Sequence, residues 1–184
     1  LWQANWVKEQ IIAHHPDTAV DICVIKTKGD KILDTPLAKI GGKGLFVKEI
    51  EDALLNETVD LAVHSMKDMP GKLPDGLIVG AVPMRENPLD ALISQDNIKL
   101  ADLPTEANVG TSSLRRAAQL LHLRPDLTIV PLRGNVDTRL GKLARGEMDA
   151  IILAAAGLTR LGFADKITEY LDSQAMLPAV AQGA

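Results

Sequence analysis

Cysteine and aromatic residues are scarce in this sequence, and each scarcity excludes a class of protein. Cys23 is the single cysteine among 184 residues, which excludes an internal disulfide framework and a cysteine-rich metal site, so no metal is predicted. Aromatic residues make up 3% of the chain, which predicts a core of aliphatic side chains. The uncharged stretch 150–159 is about half of a membrane span, so no membrane partner is predicted. The chain starts at Leu1 without a signal peptide, and we interpret it as the middle of a longer, cytoplasmic protein.

The overall composition is that of a folded protein, with 46% apolar and 24% charged residues. The net charge of −4 conceals a basic segment, 110–160, which holds eight basic and four acidic residues and seven of the eight arginines. Because the arginine fork matches carboxylate or phosphate, this segment predicts a site for a polyanionic small molecule. Nucleic acid is not expected as a partner, since a basic domain and stacking aromatics are both lacking. The alternative is that these arginines are solvated on helix surfaces.

Strands alternate with helices along the second half of the chain, which predicts an α/β fold with a mostly parallel or mixed sheet. The predicted strands there are 90–94, a short one ending at 109–110, 127–132 and 150–153. One predicted helix presents an apolar face of Leu114, Ala117, Ala118 and Leu121, and the next a face of Val136, Leu140, Leu143 and Ala144. In the first half, a helix is predicted near Trp2 and strands at 20–27, 61–64 and 77–82, with Cys23 in the core.

Two strand-to-helix turns carry the arginines. Residues 110–116 read Gly-Thr-Ser-Ser-Leu-Arg-Arg, and 132–139 read Leu-Arg-Gly-Asn-Val-Asp-Thr-Arg. Free N–H groups and the positive end of a helix dipole attract anions at such turns, and hydroxyl, asparagine and arginine side chains strengthen the attraction. Arg115 and Arg116 point about 100° apart on a helix, so they could hold two groups of one extended ligand. The alternative is that Ser112 only caps the helix and that Asp137 is structural.

Residues 64–70, His-Ser-Met-Lys-Asp-Met-Pro, place an acid, a cation and a histidine close together. Lys67 favours the ionised form of Asp68, whereas burial would favour a protonated carboxyl that could donate a proton. The structural alternatives are a hydrogen-bonded core histidine for His64 and a turn residue for Asp68. The glycine-rich run 40–44 lacks the Ser or Thr of a P-loop and is interpreted as a loop that could close over a ligand.

These segments together resemble the porphobilinogen deaminase (hydroxymethylbilane synthase) family. The matching stretches include HSMKD at 64–68, GTSSLRR at 110–116, RGN at 133–135 and LPAVAQGA at 177–184, in the family's order. The resemblance implies three domains, of which the first two resemble type II periplasmic binding proteins with mixed sheets and an active site in the cleft between them. It assigns 1–84 to the first lobe, 85–178 to the second, and 179–184 to the start of a crossover back to the first. It also implies a strand before Leu1 and a third domain after Ala184.

The resemblance implies a transferase of tetrapyrrole and heme biosynthesis. The family condenses four porphobilinogens head to tail, releases ammonia from each, and starts the chain on a dipyrromethane cofactor attached to a cysteine of the third domain. It makes Asp68 the catalytic carboxylate, which would stabilise the cationic stages and shuttle protons. It assigns substrate and cofactor carboxylates to Lys67, Thr111, Ser112, Ser113, Arg115, Arg116, Arg133, Arg139, Arg160 and Gln182. It assigns the lid and cleft to Asp30, Lys39, Gly42, Lys43 and Phe46.

Cys23 does not match the position of the cofactor cysteine, so we expect the 184 residues alone to be inactive and without cofactor. The full enzyme is expected to be a monomer, while the unfilled sheet position of the fragment leaves self-association open. The alternative function is a non-catalytic binding protein for a small polycarboxylate. Asp68 separates the two hypotheses, because a carboxylate among arginines repels an anionic ligand and gives a binder no advantage.

Overall fold

A computed structural model describes residues 1–27 and 47–184, which divide into two compact units, Leu1–Pro83 and Met84–Ala184. The helices are α1 Trp2–His14, α2 Lys48–Leu55, α3 Leu114–Leu123, α4 Val136–Ala144 and α5 Ala155–Arg160. The strands are β1 Asp90–Ser94, β2 Asn108–Gly110, β3 Thr128–Val130, β4 Ala150–Ala154 and β5 Glu169–Leu171. The predicted α/β class with a mixed sheet is confirmed, whereas the likeness of the lobes to periplasmic binding proteins stays a prediction.

The five strands form one sheet in the second unit, in the order β3-β2-β4-β1-β5. Strand β2 runs parallel to β3 and to β4, while β1 runs antiparallel to β4 and to β5. The parallel pair β2–β3 is joined through α3, as such crossovers require. In the central pair, Asp90 lies opposite Ala154 and Ser94 opposite Ala150. The first residue of β1 therefore lies at the edge where the parallel strands end.

The core of this unit has two apolar layers, one on each face of the sheet. Alternate residues of the central strands enter opposite layers, with Leu92 and Ile152 in one and Ile93 and Ile151 in the other. Strands β1 and β4 are buried along almost their whole length because both faces are covered. Leu120 of α3 covers the first face, and residues of α4 and α5 cover the second, which gives a helix–sheet–helix sandwich.

The helix predicted from the face of Leu114, Ala117, Ala118 and Leu121 is formed as α3, but the predicted buried face is wrong. Leu114 is 74% exposed and Leu121 is 40% exposed, while Arg116 and Leu120 are buried. Arg116 and Leu120 are four residues apart and lie on one side of the helix. The buried pairing of Arg116 with Asp90, described below, turns that side toward the sheet. For α4 the predicted face is confirmed at Leu143, which is buried, and at Val136 and Leu140, which pack against the same layer, but Ala144 is exposed.

The first unit contains α1, α2 and a single turn of 3-10 helix, Met66–Asp68, among its described residues. The strands predicted at 20–27, 61–64 and 77–82 are not formed there. Extended backbone becomes a strand only when a neighbour accepts and donates its hydrogen bonds, and these segments pair with none of the described residues. Cys23 is exposed rather than in the core. Throughout 1–27 and 47–184, no helix is both long and apolar enough to cross a membrane.

Candidate functional site

The candidate site lies at the edge of the sheet where β2, β3 and β4 end. Gly110, Val130 and Ala154 are the last residues of these strands, and the antiparallel β1 brings Asp90 to the same edge. Ligands of open α/β sheets usually bind at the carboxyl ends of the strands. The predicted site residues of the second unit follow these strand ends directly or lie beside them.

The first turn, 111–113, is built from three hydroxyl side chains. The backbone N–H of Arg116 donates to Ser113 Oγ (3.4 Å), which makes Ser113 the N-cap of α3, and the N–H of Ser113 donates to Thr111 Oγ1 (3.2 Å). Ser112 Oγ donates to the carbonyl of Leu132 (2.9 Å) and accepts from its N–H (3.1 Å). Ser112 therefore does not cap the helix but ties the first turn to the second.

The second turn starts at Gly134, whose φ of +111° is a conformation that side chains disfavour. Asn135 caps α4 as predicted, because its Oδ1 accepts from the N–H and from the hydroxyl of Thr138, each at 2.8 Å. Arg139 Nε donates to the carbonyl of Gly134 (2.7 Å), which bends this side chain back to the turn. Arg133 is half-buried beside Gly134.

Asp90 is fully buried and joins both arginines of the first turn. Arg116 donates to Asp90 Oδ1 from Nε (3.0 Å) and Nη2 (2.7 Å), and its Nη1 donates to the carbonyl of Ile152 (3.2 Å). Arg115 Nη2 lies 2.6 Å from Asp90 Oδ2. Gln182 Nε2 completes the shell with hydrogen bonds to Asp90 Oδ1 (2.9 Å) and to the carbonyl of Pro88 (2.7 Å).

The charges at this edge affect one another. Burial lowers the pKa of the Arg139 guanidinium, and the positive charges of Arg116 and Arg133 lower it further. Burial by itself would raise the pKa of Asp90, but the charge of Arg116 and the hydrogen bonds from Arg116, Gln182 and Arg115 outweigh it and hold the pKa below its usual value. The four arginines of the two turns outnumber the carboxylates Asp90 and Asp137, so they form an electropositive cluster suited to an anion.

The segment 177–183 closes the second unit over this edge. Arg160 Nη2 donates to the carbonyl of Gly183 (2.8 Å), and Arg85 Nε donates to the carbonyl of Gln182 (2.9 Å). Arg115 Nη1 donates to the carbonyl of Leu177. The predicted residues Arg115, Arg160 and Gln182 are thus brought to one edge, where part of their hydrogen-bonding capacity serves the chain itself.

In the first unit, the predicted residues Lys67 and Asp68 are exposed neighbours in the 3-10 turn. The N–H of Asp68 donates to the carbonyl of Ser65 (3.0 Å), which fixes the turn. His64 is half-buried, and its Nδ1 lies 2.9 Å from the carbonyl oxygen of Ser65. The turn before Pro70 thus presents a carboxylate and an ammonium group side by side. The predicted lid and cleft residues Asp30, Lys39, Gly42, Lys43 and Phe46 lie outside the described residues.

A shallow pocket of about 710 Å³ opens at the opposite edge of the sheet, beside the end of β1. Ser94, Gln95, Arg145 and Lys166 are among its lining residues, and none of the predicted site residues is. Arg145 already pairs with Glu147 at 2.7 Å. Ligands of such sheets bind at the turns that follow the carboxyl ends of the strands, and this pocket is not lined by those turns. The arginine-rich edge therefore remains the candidate site.

Similarity to known proteins agrees with the motifs. The family described as "Porphobilinogen deaminase, dipyromethane cofactor binding domain" matches residues 1–184. The chain is 60% identical to porphobilinogen deaminases of Syntrophotalea carbinolica and of Geobacter sp. strain M21, over 100% of its own length. The chain belongs to the porphobilinogen deaminase family. It spans 58% of the length of these two relatives. The dipyrromethane predicted as cofactor is the group named in the description of the matched domain.

Sequence reasoning about this porphobilinogen deaminase chain missed Asp90, the residue on which the two arginines of the first turn converge. Asp90 stood in the prediction only as the first residue of a strand. Its one signal is position, since it is an acid that opens the otherwise uncharged strand Asp90–Ser94. That signal does not reveal its partners, because Arg116 is 26 residues away along the chain.

Proposed function

We propose that this chain is the substrate- and cofactor-binding part of a hydroxymethylbilane synthase, a transferase that condenses four porphobilinogens and releases ammonia from each. The observation that carries the proposal is the cluster of arginines at the carboxyl ends of the parallel strands, in a chain that belongs to this family. Each porphobilinogen carries an acetate and a propionate side chain. An elongating chain of such rings therefore gains two carboxylates with every addition, and an arginine-rich edge matches that chemistry.

The arginines would hold carboxylates, and the hydroxyl-rich turn would assist them. Arg115, Arg133, Arg139 and Arg160 offer charge at the edge, with Thr111, Ser112, Ser113 and Gln182 fixing the backbone around them. Arg116 does not add to this group, because Asp90 balances its charge and its Nε, Nη1 and Nη2 all donate within the chain. Lys67 would add a further cation beside Asp68. A charge-assisted hydrogen bond contributes about 1.5–3 kcal/mol, so a few such contacts suffice to hold a substrate.

Asp68 would act on the reacting ring. Loss of ammonia from an aminomethylpyrrole leaves a cation that the ring nitrogen stabilises, and a carboxylate near the pyrrole N–H stabilises that charge. The ring carbon that forms the new bond must later lose a proton, which the same carboxylate could accept. Asp68 is exposed on a fixed 3-10 turn, so the carboxylate is open to a ligand.

The described residues fit a dipyrromethane group. The electropositive cluster suits its carboxylates, and the buried Oε1 of Gln182, which accepts no hydrogen bond from the described residues, suits a pyrrole N–H. Arg115, Arg133 and Arg139 would hold the group. When bound, dipyrromethane supplies the pyrrole carbon from which the chain grows. We place its covalent attachment on a cysteine outside these 184 residues.

The substitution Asp68→Asn in the full-length enzyme tests the proposed function. It removes the charge but keeps the size of the side chain, so the KM for porphobilinogen should stay near that of the wild type. The kcat should fall about 100- to 10,000-fold, since general acid–base and electrostatic catalysis are both lost. Asp75→Asn, an exposed acid seven residues further on, is the matched control and should leave both constants unchanged. Equal turnover by Asp68→Asn and Asp75→Asn would reject the catalytic role.

The arginine cluster by itself suits a non-catalytic binding protein for polycarboxylates as well as an enzyme. The same pair of variants separates these two functions. A binder without turnover shows no consumption of porphobilinogen by the wild type. Only an enzyme has a turnover that Asp68→Asn lowers and Asp75→Asn leaves unchanged. The full enzyme is proposed to be a monomer in the cytoplasm, and the 184 residues alone are proposed to be inactive.

A further inference from the structure

Asp90 is a fully buried carboxylate to which no role in catalysis or binding has been given above. Burying a charge is costly unless partners compensate it. Arg116 supplies the counter-charge, because it donates two hydrogen bonds to Oδ1 and its side chain is only 9% exposed, and Gln182 donates a further hydrogen bond to Oδ1. The pair Asp90–Arg116 is therefore neutral and buried as a unit.

Arg115 is a second cation on the same carboxylate, one more than the charge of Asp90 requires. Its Nη2 lies 2.6 Å from Asp90 Oδ2, and its side chain is 25% exposed, so it lies at the surface of the site. Its Nη1 donates to the carbonyl of Leu177, which fixes the guanidinium from the other side. A long side chain held from two directions has lost its rotamer freedom before any ligand arrives, which favours binding.

We propose that Asp90 is a positioning residue, which holds the Arg115 guanidinium at the edge of the site for a ligand carboxylate while Arg116 serves as its buried counter-ion. The proposal rests on the proposed function only for the identity of the ligand. Asp90 acts through Arg115 and does not touch the reacting atoms. Gln182, which donates to Asp90 Oδ1, orients the carboxylate within this arrangement.

Asp90→Asn in the full-length protein is the first test. Without the charge, Arg115 loses its anchor, and the KM for porphobilinogen should rise about tenfold while kcat changes less. Asp126→Asn is the matched control, because Asp126 forms a similar fork with Arg124 (2.8 and 2.6 Å) away from the site. It removes the same charge from the same unit and should leave the KM within about twofold of the wild type. A folded Asp90→Asn variant with the KM of the wild type overturns the proposal.

Two further variants separate positioning from a purely structural role. Asp90→Asn leaves Arg116 without a counter-ion and should lower the Tm, whereas Asp90→Asn with Arg116→Gln restores the charge balance and should regain it. The KM of this double variant should stay high, because Arg115 still lacks its anchor; recovery of both Tm and KM would show a structural role only. Arg116→Gln alone leaves Asp90 to hold Arg115, so an equal rise of KM in this variant also contradicts the proposal.

Arg115→Lys keeps the test decisive even if the Asp90 variants do not fold, since Arg115 is partly exposed. The charge remains but the fixed fork is lost, so the KM should again rise, and an unchanged KM overturns the proposal. A wild type that does not consume porphobilinogen refutes the proposed function instead. In that case the calorimetric Kd for citrate replaces the KM in the same comparisons, with weaker binding by Asp90→Asn and Arg115→Lys expected.

Discussion

Asp90 shows how a single residue can connect segments that are far apart in the chain. Its Oδ1 accepts hydrogen bonds from Arg116 and Gln182, and its Oδ2 forms an ion pair with Arg115. Asp90 is the first residue of the strand beside β4. The start of α3 and the end of the chain are thereby held at one edge of the sheet. Removing one partner of such a buried pair costs about 3–5 kcal/mol, because the other charge is left uncompensated.

The titration of Asp90 predicts how acid destabilises the second unit. Its pKa in the folded chain lies below the usual value of 3.8, so the unfolded chain takes up the proton first as the pH falls. The stabilisation is therefore complete above pH 3.8 and is lost as the pH drops through the lower, folded value. Within that window, the free energy of unfolding should fall by up to about 1.4 kcal/mol per pH unit from this group.

Urea unfolding of the wild type and of Asp90→Asn between pH 6 and pH 2 measures this contribution. The variant has no carboxyl to titrate at this position, so its stability should be lower above pH 4 but should fall less steeply in acid. Curves of equal slope below the usual Asp pKa would show that Asp90 is not linked to the acid sensitivity of the fold.

At the scale of the element, α3 exposes the apolar side that the sequence predicts to be buried and buries the side of Arg116 and Leu120. Leu120 is 0% exposed in the layer that contains Leu92 and Ile152, whereas Leu121 is 40% exposed. Leu120→Ala should therefore lower the free energy of unfolding by about 2–5 kcal/mol. Leu121→Ala is the matched control and should change it by less than about 0.5–1 kcal/mol. Urea unfolding measures the free energy of unfolding of both variants. Equal decreases in the two variants would contradict the orientation of α3.

The case of α3 also shows which features could be predicted from the sequence. The strand Asp90–Ser94 and the turns 110–116 and 132–139 at the starts of α3 and α4 follow from local patterns, and these were correctly placed. The buried side of α3 could not be predicted, because Leu114, Ala118 and Leu121 repeat at helical spacing, whereas the side that is buried carries the charged Arg116. The pairing of Arg116 with Asp90 decides between the sides, and periodicity carries no information about a partner 26 residues away.

At the scale of the whole molecule, the apolar core among the described residues is distributed unevenly. The two buried layers both lie in the unit Met84–Ala184, and Val47 is the one buried apolar residue described in Leu1–Pro83. The strands predicted in the first unit are not formed, because β-branched residues make a segment able to pair, but pairing depends on a neighbouring strand. The motifs 110–116 and 133–135 predicted more of the structure than the strand patterns of the first unit did. They follow strands of one five-stranded sheet, which holds both motifs at the same edge.

The uneven core and the shorter length lead to a prediction for the 184 residues on their own. They span 58% of the length of a relative named porphobilinogen deaminase. Their single cysteine, Cys23, is exposed and lies in the first unit, whereas the arginine-rich edge lies in the second. The purified 184-residue chain should therefore consume no porphobilinogen, and its intact mass should stay at 19.8 kDa after incubation with it. A mass that rises by pyrrole units would contradict this. The same incubation with Cys23→Ser would then show whether Cys23 is the point of attachment. The added mass would be absent from this variant if the Cys23 thiol carries it.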